Sequence, residues 1–153
     1  MTARATEKNL EQDLESLGRA VLFSNADAIV TADKDGIIRF WNPAAARIFG
    51  FTSAQAVGQS LDIIIPERLR KRHWDGYARV MAGAKSRYGD GDLLAVPAIK
   101  ADGTQISIEF TIIPLQDASG ALNGFAAIMR DVTARFEQMR ALKRKLADAA
   151  KAT

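Results

Sequence analysis

Between residues 105 and 113 the chain alternates with a period of two. Ile106, Ile108, Phe110 and Ile112 fall on one side, and Ser107, Glu109 and Thr111 on the other. Successive side chains of a strand point to opposite faces, so this stretch predicts a strand with one buried face. Such a strand needs antiparallel neighbours and a layer over its apolar side. L-L-A-V-P-A-I-K (93–100) precedes it across A-D-G-T, with Pro97 suited to an edge or a bulge, and L-N-G-F-A-A-I-M-R (122–130) follows across D-A-S-G. Upstream, A-I-V-T-A-D and I-I-R-F-W-N (37–42) flank the tight turn D-K-D-G (33–36). A hairpin and a three-strand meander most simply make one antiparallel sheet, an α+β arrangement.

Helices separate the two groups of strands. Asn42 and Pro43 are a cap and a first-turn residue for P-A-A-A-R-I-F, which Gly50 stops. Thr52 or Ser53 can cap S-A-Q-A-V, ended by Gly58; S-L-D-I-I-I-P reads as a connecting turn; Pro66 opens a helix to about Met81. These helices would cover one face of the sheet and leave a space beneath them. Two more helices flank the body. Residues 6–22 carry Leu10, Leu14, Leu17 and Val21 at seam spacing, and the segment from Thr133 carries Phe136, Met139, Leu142, Leu146 and Ala149. The expected division is 1–21, 22–133 and 134–153.

The 66–81 helix holds the chain's one histidine, His73. Leu69, Gly76, Tyr77 and Val80 stand at offsets of −4, +3, +4 and +7 from it and share its face, while Arg68, Arg72, Asp75 and Arg79 fall on another. An imidazole on the apolar side of such a helix is either a satisfied core residue or a ligand.

Composition removes many chemistries. The chain has 153 residues, 48% hydrophobic and 25% charged, enough for one domain with a real core. No cysteine is present, which excludes disulfides, thiolate metal sites and cysteinyl–chromophore photochemistry. There is no Walker loop, dinucleotide fingerprint, zinc-protease motif or nucleophile elbow, so no catalytic set is expected. Asp90 and Asp92 read as turn residues in a glycine-containing loop rather than as an acid–base pair. The basic clusters Arg68/Arg70/Lys71/Arg72 and Arg140/Lys143/Arg144/Lys145 read as solvated helix faces, with no nucleic-acid partner expected. The first residues lack the apolar core of a secretory signal and no run nears 18 apolar residues, so a soluble cytoplasmic protein without membrane contact is expected.

Several segments together resemble a PAS domain over about residues 22–133: D-G-I-I-R-F-W-N-P-A-A-A-R-I-F-G-F, V-G-Q-S-L, K-A-D-G-T-Q-I-S-I-E-F and the closing R-D-V-T at Arg130 to Thr133. The resemblance implies a five-stranded antiparallel sheet with helices on one face, used as a sensory or dimerising module of signal transduction. A narrower resemblance is to the FixL-type, heme-binding PAS domains of oxygen sensors. Pro66, Glu67, His73, Arg79, Met81 and Ala82 stand in the register of that family's heme helix. The resemblance implies heme b (an iron site) with His73 as axial ligand and Arg79 at a propionate. With it go Leu69 and Tyr77 beside the ligand, Leu94 and the apolar residues Ile108, Phe110 and Ile128 as lining. Two departures stand out. Trp74 separates His73 from Asp75-Gly76-Tyr77, and in the register set by that triplet Trp74 would take the ligand's place. The position of the family's oxygen-facing arginine falls at Leu93 or Leu94. The implied function is sensing of a diatomic gas (O2, CO or NO) or of redox state, relayed to the C-terminal helix. The alternative is a PAS dimerisation module that is ligand-free or binds a flavin (FAD). In either case a homodimer through the terminal helices is expected, with a separate signalling effector as a further partner.

Overall fold

The structure is a computed structural model and describes residues 3–83 and 93–152. In chain order the elements are α1 (Ala3–Leu22), β1 (Ala28–Asp33), β2 (Ile38–Trp41), α2 (Pro43–Phe49), α3 (Ser53–Ala56), a 3-10 turn (Leu61–Ile64), α4 (Glu67–Met81), β3 (Leu94–Ile99), β4 (Gln105–Gln116), β5 (Leu122–Asp131) and α5 (Thr133–Lys151). The five strands form one antiparallel sheet in the order β2-β1-β5-β4-β3. The meander thus joins the first hairpin through β5, which pairs with β1 on one side and β4 on the other. Pro97 lies on β3, an edge strand, where a residue without an N–H disrupts least. The expected carboxylate positions Asp90 and Asp92 lie outside the described residues.

Local chemistry explains the helices. Asn42 is fully buried and its side-chain oxygen accepts from the N–H of Ala45, capping α2, while Gly50 closes that helix at φ 82°. The same oxygen accepts from Ile29 N at 2.9 Å, and the amide nitrogen donates to the carbonyls of Ser24 and Asp27. One side chain therefore ties α2, β1 and the segment after α1 together. Thr52 and Gln55 form a reciprocal capping box on α3. Residues 61–64, expected as a plain turn, make a 3-10 turn capped by Ser60.

The packed core lies under α2 and α3. Phe49, Ala44, Ala45 and Ala56 are fully buried there against Ile38, Trp41 and Val30. By contrast α4 has no fully buried residue. The helix that carries His73 is therefore held away from the sheet, and the space between them is not filled by side chains.

The terminal helices leave their seams open. Leu10, Leu14, Leu17 and Val21 of α1 and Phe136, Met139, Leu142 and Leu146 of α5 are all exposed. No helix of the described residues is long and apolar enough to cross a membrane.

Candidate functional site

Beneath α4 lies a cavity of about 720 Å³, bounded by the inner face of the sheet, the 3-10 turn and edge strand β3. That is within the usual size of a small-molecule site, roughly 300–1,000 Å³. Of the residues expected at a site, Leu69, His73, Tyr77 and Arg79 line it from α4, Leu94 from β3, and Ile108 and Phe110 from β4. Ile128 does not. On β5 the cavity-facing residues are Phe125, Ala127 and Met129, and the two-residue period turns Ile128 to the opposite face of the sheet. Adjacent residues of a strand face opposite ways, so the lining falls on Phe125, Ala127 and Met129, of which the sequence reading included neither Phe125 nor Met129. Arg72 was also assigned wholly to the polar face, yet it lines the cavity's mouth. Of the two leucines at the position of the family's distal arginine, Leu93 is exposed and Leu94 lines the cavity.

His73 is a polar group within this largely apolar lining. Burial pushes its pKa below the usual 6.5, with the Asp62 charge opposing weakly, so at neutral pH the imidazole is uncharged. Its Nδ1 is buried and has no hydrogen-bond partner among the described residues. Buried polar atoms are nearly always paired, so this nitrogen stands out as a candidate contact for a further group.

The neighbours of His73 are committed elsewhere. Trp74 Nε1 donates to Asp62 Oδ1 at 2.7 Å, and its ring lies over Gly36, where a Cβ would come within 2.1 Å of it. The indole therefore faces the β1–β2 turn and the 3-10 turn, and it is not part of the cavity wall. Tyr77 donates its hydroxyl to the carbonyl of Asp33 and stacks edge-on against Phe125 of β5, with ring centroids 5.5 Å apart. Burial, with the charges of Asp33 and Asp35, pushes the Tyr77 phenol up to about 12, so it stays a donor. Arg70 donates from Nε to the carbonyl of Ile65 and from Nη2 to that of Asp62. Residues on both sides of His73 thus pin α4 in place and fix where the imidazole points.

The far end of the sheet leads out of the body. Asp131 Oδ1 accepts from Thr133 N at 2.9 Å, Thr133 Oγ1 accepts from Ser107 N, and Val132 N donates to the Ser107 carbonyl. The step from β5 into α5 is therefore stitched to β4.

A five-stranded antiparallel sheet with a cavity under its helical layer is the architecture of a small α+β module. The chain belongs to the PAS fold family, which matches residues 22–137. It is similar to the sensor protein FixL of Bradyrhizobium diazoefficiens, 32% identical over 130 residues that cover 83% of this chain and 25% of that protein. It is also similar to the oxygen sensor protein DosP of Escherichia coli, 28% identical over 117 residues, covering 76% of this chain and 14% of that protein. The chain thus spans a quarter or less of these relatives' length. The PAS domain of a Colwellia psychrerythraea protein has the same fold, with a TM-score of 0.65 at 21% identity, covering 79% of this chain and 98% of that one. Both of these relatives, FixL and DosP, are named as sensors, and what they share with this chain is its PAS region.

Proposed function

We propose that this domain, with its body at residues 22–133 between flanking helices, senses a diatomic gas (O2, CO or NO) or a redox change through heme b held by His73. The observation that carries the reading is the state of that side chain. It is an uncharged imidazole in an apolar cavity, with a buried nitrogen lacking a partner among the described residues. A neutral imidazole ligates iron and a protonated one does not. No group of three or more His, Cys, Asp or Glu side chains forms a metal site among the described residues. A bare ion would lack donors here, whereas a macrocycle that brings its own needs only one from the protein. The commitment of Trp74 to Asp62 and Gly36 favours the register in which His73, not Trp74, is the ligand. The similarity to a protein named as an oxygen sensor supports the same reading.

Heme b, when bound, would supply a redox-active iron with a coordination position open to a small molecule. The protein's part is to orient His73, exclude water with Leu69, Val80 and Ile108, and shape the opposite wall. Leu94 offers no hydrogen-bond donor there, so O2 gains no polar stabilisation at that position while CO loses little. Phe125, Ala127 and Met129 bring the cavity wall onto β5, which runs through Asp131 into α5. Movement of that strand would be read out by the C-terminal helix in a homodimer, and beyond it by a separate effector protein.

The test is an absorption spectrum of protein purified with heme available, beside that of His73→Ala. A strong Soret band that is lost in the variant is expected. A protein that stays colourless with added hemin ends the heme reading in favour of a ligand-free or flavin-binding module, and a band indifferent to His73 ends the ligand assignment.

A further inference from the structure

The deep end of the cavity is apolar, but its mouth is not. Arg72 and Arg79 are seven residues apart on α4, two turns that return them to nearly the same side, about 10 Å apart along the axis. Both line the mouth of the cavity. Both also border a shallow depression on the outer flank of α4, with Arg68, Lys71 and Asp75, so they stand where the apolar space meets solvent. Nearby acids are already engaged. Asp75 receives Lys71 at 2.7 Å, and Asp62 takes the Trp74 indole and lies 3.8 Å from Arg70. Arg72 has no acidic partner among the described residues, and Arg79 donates to the Asp75 carbonyl over a long 3.4 Å. Guanidinium groups on long apolar stems suit this position, since the stems can cover apolar surface while the forks reach carboxylates.

Resting on the heme reading above, we infer that Arg72 is a second anion anchor at the cavity mouth, acting beside Arg79. The site then selects a flat apolar macrocycle that carries free carboxylates along one edge. Arg72 acts on binding and orientation and takes no part in ligating the metal.

The experiment titrates metal-free protein with hemin, hemin dimethyl ester and protoporphyrin IX, following porphyrin absorption and the quenching of tryptophan fluorescence. Arg72→Gln is compared with Lys71→Gln, since both positions are exposed on α4 and Lys71 is already paired with Asp75. Arg72→Gln should weaken hemin and protoporphyrin IX about fivefold to tenfold and leave the ester unchanged, while Lys71→Gln alters none of the three. Added salt should narrow the gap between hemin and its ester in the unmodified protein. An unchanged hemin-to-ester ratio in Arg72→Gln overturns the anchor while leaving His73 ligation standing. An equal loss for both overturns it too, because an effect blind to carboxylates is not an anchor. If no porphyrin binds the unmodified protein, the heme reading falls and Arg72 falls with it.

Discussion

A histidine held neutral by burial makes the fold sensitive to acid. Because the folded-state pKa of His73 lies below the ordinary 6.5, the unfolded chain takes up the proton first as pH falls. Stability from this residue is therefore full above about pH 6.5 and is lost as pH drops toward the lower folded value. In metal-free protein, the melting temperature should fall more between pH 7.5 and 5.5 than it does in His73→Leu, measured by circular dichroism. Equal falls would mean that burial of the imidazole does not govern its protonation. The inward turn of His73 was legible from offsets along one helix. That Trp74 is tied to Asp62 twelve residues away was not, because helical periodicity says which face a residue occupies and nothing about which loop meets that face. Asn42 shows the same limit. Its capping bond to Ala45 is local and could be read, whereas its bond to Ile29 spans thirteen residues and needs the assembled hairpin.

At the scale of elements, α4 is fixed by its ends and flank rather than by a buried face. Trp74 over Gly36 and Tyr77 on the Asp33 carbonyl both grip the β1–β2 turn. Gly36 has φ 75°, a conformation costly for other residues, and a Cβ there would also collide with the indole. Gly36→Ala should therefore destabilise the domain by roughly 1–3 kcal/mol in urea unfolding and loosen the helix above the cavity. A loss below about 0.5 kcal/mol would show that the turn and the indole adjust freely. The sequence marked D-K-D-G as a tight turn, but not that its glycine is the seat of an aromatic ring from a helix 38 residues on. Strands were the most readable elements because their period is short and their turns are marked. Among the strands the facing differs from the sequence reading at Ile128, where a run of apolar residues in β5 hides the alternation that β4 displays openly.

In the whole molecule, two amphipathic helices carry exposed leucine-rich seams that the body does not cover. Their length is similar, and a symmetric pair of chains would bury both seams together. Light scattering should give twice the chain mass, and Leu17→Asp with Leu142→Asp should return the monomer without altering porphyrin affinity. A monomer in the unmodified protein at high concentration would remove that assembly. The sheet order, with β5 between β1 and β4, was not readable from the chain. It follows from long-range pairing, whereas the number of strands and their antiparallel sense came from local patterns.

One surface ion pair has a wider consequence. Asp27, just before β1, receives both Nε and Nη2 of Arg130 at 2.9 Å, close to the end of β5. As a solvent-exposed pair it contributes little to stability. Its position matters more, since it marks where α1 delivers the chain to the body and where α5 takes it away. The two leads run to one corner, like the pins of a plug. A body wired this way has its entry and its exit held at one corner by a single bidentate pair.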